Sequence, residues 1–321
     1  MWKGSTVLVT GGAGFVGSNL VDGLLAKGAN VRVLDNMSGG SEENLAHCIN
    51  DIDLHLADLK DAAAVDKAVK GCQSIFHMGA NASVPRSVDD RENDFESNVV
   101  GTYNIADSMI KHNVERVLYA STAAAYGTPQ YTPVDEKHPL DPVSPYGATK
   151  LCSERLLFGY SQVFDFDLTV VRIFNTYGPR QRHYVAYDLM MKLAKDPTKL
   201  EVLGSGKQLR DYCYVDDMVA GLMFAAERAT NPGQVFNISG GRTVSIRELV
   251  SLIMDTLNLK DTEVTYGAPS WKGDIDVLSG DVSKITDAGW APTISIEEGL
   301  RRLAVELGLI DDSAEKRCVN G

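Results

Sequence analysis

Short runs of apolar residues alternate along the first half of the chain with longer segments whose apolar positions recur every three or four residues. The runs predict buried strands, and the longer segments predict helices that pack on a sheet. The predicted strands are 5–10, 31–35, 54–59, 74–80, 116–121 and 168–174. The predicted helices include 17–27, 92–112 and one that begins near Tyr146. Strands that alternate with helices in this way favour right-handed βαβ units and a parallel sheet.

The pattern changes after Asn175. Helical segments then alternate with short strands such as LEVLG, QVFNIS and EVTYG, and the segments are 186–195, 216–228 and 245–257. We therefore expect a first domain over 1–175, a smaller α/β lobe over 176–310 and a polar tail over 311–321. Because the boundary is soft, we also expect some elements to cross between the two parts.

Composition narrows the functional classes. The 321 residues carry a formal charge of -12, whereas non-specific nucleic-acid binders present a basic face, so we expect no nucleic-acid partner. No apolar run is long enough to span a membrane. The five cysteines are scattered, and neither they nor the six histidines show metal-ligand spacing. This usage predicts no disulfide, no metal site and a cytoplasmic location.

A glycine-rich turn, TGGAGFVGS, joins the first predicted strand to the first predicted helix. Gly12, Gly14 and Gly17 form a G-x-G-x-x-G pattern, and Gly11 gives a second, overlapping spacing. Glycine permits the tight bend, the close approach of the main chain to a pyrophosphate and the packing of helix on strand. The free N–H groups at the start of the helix then attract the phosphates. The turn predicts a Rossmann-type, doubly wound parallel sheet that binds a dinucleotide.

Asp35 ends the second predicted strand, eighteen residues after Gly17. A carboxylate at this place accepts hydrogen bonds from a ribose 2′-hydroxyl and would repel a 2′-phosphate. The sequence therefore favours NAD over NADP. Asp58, after the third predicted strand, is a candidate for contact with the adenine or a simple loop cap.

Tyr146 and Lys150 lie four residues apart in SPYGATK, on one face of a predicted helix. Ionising a tyrosine at neutral pH costs roughly 4 kcal/mol. A positive charge about 4 Å away, at an effective dielectric of about 20, returns roughly that amount. Lys150 supplies such a charge and an oxidised nicotinamide would supply another, so Tyr146 is a candidate general base toward a hydroxyl that loses hydride.

These motifs together resemble the extended short-chain dehydrogenase/reductases, in particular the NAD-dependent nucleotide-sugar epimerases and dehydratases. The resemblance covers about 4–306 and rests on TGGAGFVGS, LDNMSGG, ADL, FHMGA, ASVPRSV, NVVGT, STAAAYG, SPYGATK, RIFNTYGPRQ, GSGKQLRDYCYVDD and FNISGG. It implies a catalytic set of Thr122, Tyr146 and Lys150. It also implies that Tyr146 and Lys150 contact NAD together with Gly11, Gly14, Phe15, Val16, Asp35, Asn36, Ser38, Gly39, Asp58, Leu59, Met78, Gly79, Ala80, Asn98 and Phe174.

The resemblance also indicates the substrate side and the branch. The implied substrate residues are Ser83, Arg86, Thr122, Asn175, Arg210 and Asp274. Dehydratases and decarboxylases of the family carry acids just after the catalytic Ser or Thr, where this chain has Ala123 and Ala124. That favours a UDP-sugar 4-epimerase, which inverts C4 through a 4-keto sugar. A dehydratase or oxidoreductase on a similar substrate, or a non-catalytic NAD-binding protein, are the alternatives.

Two segments depart from the family pattern. In PSWKGDI, Trp271 stands near the place of a usual arginine, for which Lys272 is a possible substitute. The segment after Gln181, RHYVAYDLMMK, is shorter than usual. The sugar and the nucleotide base therefore stay open. Tyr184, within that segment, is interpreted as a packing residue. The resemblance further implies a homodimer formed by the helices near 92–112 and 146–163.

Overall fold

A computed structural model of the protein describes residues 1–268 and 275–312. Its strands are β1 (Thr6–Thr10), β2 (Asn30–Asp35), β3 (Ile52–Leu56), β4 (Ser74–His77), β5 (Arg116–Thr122), β6 (Asp167–Ile173), β7 (Asn175–Tyr177), β8 (Lys199–Leu203), β9 (Leu209–Tyr214), β10 (Gln234–Ile238), β11 (Thr243–Ser245), β12 (Glu263–Ala268) and β13 (Val277–Leu278). Its α-helices are α1 (Phe15–Ala26), α2 (Ala62–Val69), α3 (Val84–Asp89), α4 (Arg91–Phe95), α5 (Gly101–His112), α6 (Pro145–Phe164), α7 (Val185–Lys195), α8 (Val215–Ala226), α9 (Ile246–Thr256), α10 (Ser283–Asp287) and α11 (Ile296–Glu306).

Seven parallel strands form the central sheet in the order β10-β6-β5-β4-β1-β2-β3. The chain reverses its direction of travel between β1 and β4, which is the doubly wound, Rossmann-type arrangement predicted from the sequence. In this arrangement ligands bind beyond the carboxyl ends of the strands, next to the reversal. The glycine turn, the loop after β4 and the end of β5 all lie at that edge.

Helices cover both faces of the sheet. Alternate side chains of a strand point to opposite faces, and in β1 Val7 and Val9 pack in one buried cluster while Leu8 packs in the other. The first cluster includes side chains of α1 and α8, and the second includes side chains of α2, α5 and α6. Because both faces are buried, the strands are continuous apolar runs, which is why most were evident in the sequence.

Elements from beyond Asn175 complete the fold. β10 returns to the central sheet and pairs with β6, so a division of the chain at residue 175 does not coincide with the edge of that sheet. The rest of this half forms a four-stranded sheet around β9, which pairs with β7, β11 and β13, and a β8–β12 pair. None of the helices within the described ranges is both long and apolar enough to cross a bilayer.

Three predicted elements differ from the structure by more than two residues or are interrupted. The predicted strand 74–80 ends at His77. The predicted strand 54–59 ends at Leu56, because Asp61 caps the N-terminus of α2 and the preceding residues form a turn. The predicted helix 92–112 is interrupted by a π-helical segment, Glu96–Val100. Within it the Asn98 carbonyl accepts hydrogen bonds from the hydroxyls of Thr102 and Ser153, at 2.5 and 2.8 Å. Such π segments are frequent at functional sites.

Candidate active site

In the glycine turn, the main chain of Gly11 packs directly against the main chain of Gly79. Gly11 has a φ of +66°, and a Cβ placed on it would lie 2.8 Å from both N and Cα of Gly79 in the loop after β4. A Cβ on Gly17 would collide with the Gly11 carbonyl. The turn therefore tolerates no side chain at Gly11 or Gly17. The cradle that this leaves, next to the N-terminus of α1, fits a dinucleotide pyrophosphate.

Asp35 lies beside this turn at the end of β2. Its carboxylate accepts hydrogen bonds from the Ala13 and Met37 amides, at 2.9 and 2.8 Å, and burial raises its pKa. Asn36 donates to the Asp58 carboxylate at 2.8 Å, so two residues predicted to hold the adenosine contact each other. A carboxylate held at the end of β2 fits an adenosine ribose.

The remaining residues predicted for the cofactor follow the same edge. Phe15 and Val16 begin α1, Ser38 and Gly39 form the turn after β2, and Met78 and Ala80 flank Gly79. The Leu59 side chain would meet a Cβ on Gly79 at 2.8 Å. Phe174 is buried, with its ring against Gly280. These placements are compatible with the prediction but do not test it.

The start of α6 places Tyr146 by local interactions. The Ser144 hydroxyl accepts the Gly147 amide at 3.1 Å as N-cap, and Pro145 occupies the first helical turn. The Tyr146 amide donates to the Ser87 hydroxyl at 3.1 Å. A Cβ on Gly147 would lie 2.5 Å from the Ala124 carbonyl, so glycine is required for α6 to approach the segment after β5.

Thr122 and Tyr146 meet in the structure. Thr122 ends β5, is nearly buried and hydrogen-bonds the Tyr146 phenol. Burial raises the pKa of Tyr146 above its usual range, and the Thr122 hydrogen bond is the interaction that lowers it. Burial therefore opposes the acidic phenol expected from the Tyr146–Lys150 spacing.

Lys150 is a buried amine. It is 2% exposed, and its Nζ lies 4.3 Å from the centre of the Tyr119 ring. Burial lowers its pKa to about 7, against the opposing influence of Glu154 and Asp94. A cation on an aromatic face keeps part of its favourable electrostatics after desolvation. Near neutral pH this lysine therefore gives up its proton much more readily than an exposed lysine does.

The residues predicted for the substrate lie on several elements. Ser83 caps α3, which carries the exposed side chain of Arg86. Asn175 in β7 donates to the Asp211 carbonyl at 3.3 Å, and Arg210 in the adjacent β9 donates to the Leu209 carbonyl at 2.8 Å. Trp271, Lys272 and Asp274 lie outside the described residues. The substrate assignments stay predictions.

Comparison with known sequences decides the family. A sequence profile described as "NAD dependent epimerase/dehydratase family" matches residues 7–239. The chain belongs to the NAD-dependent epimerase/dehydratase family. Its cofactor is NAD, which fits the glycine cradle and Asp35.

Individual members of the family are similar along nearly their whole length. The chain is 36% identical to the UDP-glucose 4-epimerase of Mycolicibacterium smegmatis over 305 residues, which cover 92% of this chain and 96% of that protein. It is 31% identical to the dTDP-glucose 4,6-dehydratase of Actinoplanes sp., over 92% of this chain and 95% of that protein. The solved structure of the UDP-glucose 4-epimerase of Thermotoga maritima with UDP-glucose shares 32% identity and a TM-score of 0.88, covering 94% of this chain and 98% of that one.

This family member has a buried carboxylate that the sequence did not single out. Asp94 in α4 is fully buried and accepts hydrogen bonds from Asn98 at 3.1 Å, Asn81 at 3.2 Å and Thr149 at 2.8 Å. It thereby joins the π segment, the loop after β4 and the residue before Lys150. The signal in the sequence was its place one helical turn before Asn98, on the same face.

A second buried network supports the end of β5. Glu154 in α6 forms an ion pair with Arg172 in β6 at 2.8 Å, and both side chains are nearly or fully buried. The Ser121 hydroxyl donates to the same carboxylate. Ser121 precedes Thr122, so this network fixes the strand that presents the Thr122 hydroxyl. The three residues are distant in sequence, and no local pattern linked them.

The fold also brings together side chains capable of binding a metal, although the sequence showed no metal-ligand spacing. Ligand atoms of Asp22, His47 and Cys48 lie within 4.8 Å of one another. Arg180 forms an ion pair with Asp22 at 2.5 Å. A guanidinium in that position opposes the binding of a dication by the cluster. The four cysteines within the described ranges are free, and Cys318 lies outside them.

Proposed function

We propose that the protein is an NAD-dependent epimerase that inverts C4 of a nucleotide-diphosphate sugar, with a UDP-sugar as its substrate. The observation that carries the proposal is the contact between Thr122 and the Tyr146 phenol, with Lys150 buried four residues further along α6. Two alanines, Ala123 and Ala124, follow Thr122. Elimination of water would require an additional acid there, and oxidation followed by reduction does not.

In this mechanism Tyr146 removes the proton of the sugar 4-hydroxyl. When bound, NAD accepts the hydride from C4 and returns it. Thr122 holds the reacting oxygen and the phenol in one hydrogen-bonded line, which is a positioning contribution. Charged Lys150 favours the phenolate electrostatically when its proton is retained. Tyr146 returns its proton after the 4-keto sugar has presented its other face.

The charge state of Lys150 connects the structure to this mechanism. Its pKa of about 7 reflects burial. Hydrogen bonds to its charged form would raise the pKa again, and the hydroxyls of a nicotinamide ribose are suitable acceptors. The residue is thus a candidate to bind the ribose and to support the phenolate at once.

A panel of nucleotide sugars tests the proposal. Purified protein is incubated with UDP-glucose, UDP-N-acetylglucosamine, UDP-glucuronic acid and dTDP-glucose, and the configuration at C4 is followed by proton NMR. We expect inversion of at least one UDP-sugar without added NAD, because no net redox change occurs and the cofactor can stay bound. Steady formation of NADH, or release of a keto sugar, would instead indicate an oxidoreductase or dehydratase. NAD binding without turnover of any sugar would indicate a non-catalytic protein.

A homodimer is part of the proposal. Helices α5 and α6 pack against each other, and their outer side exposes Tyr103 by 45% and Val163 by 72%. Apolar side chains on two adjacent helices are suited to pairing with a second copy. Light scattering during size-exclusion chromatography measures the mass. We expect a dimer for the unmodified chain and a monomer for Val163→Asp.

A further inference from the structure

The segment between β7 and α7 reaches back over the first half of the chain. Arg180 forms an ion pair with Asp22 at 2.5 Å, and Arg182 forms one with Glu43 at 2.6 Å. Two residues further on, the phenol of Tyr184 donates to the Ala82 carbonyl at 2.9 Å. Every second side chain of 180–184 thus contacts the NAD-binding half.

Tyr184 occupies an unfavourable backbone conformation. Its φ is +78° and its ψ is 163°, a region that glycine adopts without strain and other residues rarely adopt. It is also the N-cap of α7, a position that favours small polar residues, and its side chain makes no capping bond. A tyrosine that stands at this position against both preferences points to a role for the ring itself. The neighbouring ion pairs of Arg180 and Arg182 already hold the segment in place, so anchoring of the segment does not by itself explain a tyrosine at this position.

The surroundings of the Tyr184 ring are residues of the candidate site. Its hydrogen-bond acceptor, Ala82, lies between Ala80 and Ser83, which are predicted to contact the cofactor and the substrate. Tyr184 is close enough to Tyr146 to raise the pKa of that phenol. Burial of its own phenol raises the pKa of Tyr184, and the nearby Arg86 opposes that shift. The residue is nevertheless 58% exposed, so it borders the site on the solvent side.

We propose that Tyr184 is a substrate-binding residue whose ring covers the sugar of the nucleotide sugar, held in place by its hydrogen bond to the Ala82 carbonyl. This inference rests on the proposed function, because it takes the space beside the Tyr146 phenol to be the sugar pocket. The flat, amphipathic face of a tyrosine suits a pyranose ring. The interpretation of Tyr184 as a packing residue does not agree with its exposure.

Three variants test the role of Tyr184 in the full-length protein. Tyr184→Phe keeps the ring and removes the bond to Ala82, so we expect KM for the sugar nucleotide to rise roughly 3- to 10-fold. Tyr184→Ala removes the cover, and we expect a rise of roughly 10- to 100-fold. In both, kcat should change much less than KM, since the interaction exists before the transition state. Tyr187→Phe, on the adjoining helix α7 and with no polar partner for its phenol among the described residues, should match the unmodified protein.

Calorimetric binding of UDP and UDP-glucose separates this inference from the proposed function. We expect Tyr184→Ala to weaken the binding of UDP-glucose strongly and the binding of UDP by less than about twofold, because in this proposal the ring faces the sugar. Equal weakening of both ligands, or a change confined to thermal stability, would show a structural residue and overturn the inference. If the unmodified protein inverts no sugar, the proposed function is refuted. The dissociation constants for UDP and UDP-glucose still decide whether Tyr184 contacts the sugar. If that protein binds neither ligand, both proposals fail.

Discussion

At the glycine turn the decisive contacts are made by main-chain atoms, whereas around Tyr146 and Lys150 they are made by side chains. Gly11 lies against the backbone of Gly79, and the Asp35 carboxylate is held by two backbone amides. By contrast, Tyr146 depends on the Thr122 hydroxyl, and Lys150 lies on the Tyr119 ring. The predicted NAD end of the site is consequently a property of the fold, and the proposed reacting end is a property of a few buried polar groups.

The two ends should therefore fail differently when altered. A substitution at the glycine turn displaces backbone, so it should affect stability and cofactor retention together. A conservative substitution at the reacting end should change chemistry while the fold and the bound NAD remain.

Removal of the Tyr146 hydroxyl should have the largest effect. We expect Tyr146→Phe to reduce kcat about 10²- to 10⁴-fold, because the phenol is the proposed base for the sugar proton. NAD content, measured by absorbance after denaturation, should equal that of the unmodified protein. Tyr160→Phe, on the same helix but with its ring edge-to-face against that of Phe164, serves as control. Near-normal turnover of Tyr146→Phe would exclude this residue as the base.

The buried ion pair below Thr122 gives the next largest effect. Glu154→Gln leaves Arg172 buried without its countercharge, and loss of one partner costs about 3–5 kcal/mol of unfolding free energy. In the exposed pair Arg242–Glu297, Glu297→Gln should cost less than about 1 kcal/mol. Urea unfolding monitored by circular dichroism measures both. Equal costs would show that the Glu154 carboxylate is not held as the structure indicates.

A pair of glycine substitutions examines the other end of the site. Gly11 and Gly71 both have positive φ, but only Gly11 has another backbone within reach of a Cβ. Both Gly→Ala variants incur the conformational penalty of about 1–2 kcal/mol. Only Gly11→Ala must also displace Gly79, so it should be less stable than Gly71→Ala and should lose NAD on purification. Thermal unfolding and cofactor content distinguish the two, and equal behaviour would contradict the close approach.

The same contrast explains how much was predictable from sequence. The strands at 31–35 and 116–121 were predicted within one residue of β2 and β5, because strands buried on both faces are continuous apolar runs. The second half was less predictable. β9 was not recognised, since LRDYCY mixes polar and aromatic residues and gains its burial from three partner strands.

Within the site, contacts between residues close in sequence could be predicted, and contacts between residues distant in sequence could not. Tyr146 and Lys150 are one helical turn apart, so their common face followed from periodicity. Ser121, Glu154 and Arg172 meet only because α6 packs over β5 and β6. The interruption of the helix at Asn98 likewise depends on Ser153 from α6, a contact that no local pattern encodes.

Asp94→Asn should have the smallest but most specific effect. The Asp94 charge raises the pKa of Tyr146 and opposes the lowering of the Lys150 pKa, so its removal should lower both pKa values. Activity rises with pH as Tyr146 gives up its proton and falls as Lys150 gives up its own. Both limbs of the kcat profile should therefore move to lower pH.

The kcat profile of Asp94→Asn, measured from mildly acidic to strongly basic pH, therefore decides whether this carboxylate acts through charge. Asp89→Asn, at the exposed end of α3, removes the same charge from the surface and should leave both limbs in place. Because burial raises the pKa of Asp94 itself, the difference between variant and unmodified protein should narrow as the pH falls. A profile that stays in place while kcat falls would mean that Asp94 acts only through its hydrogen bonds to Asn98 and Thr149.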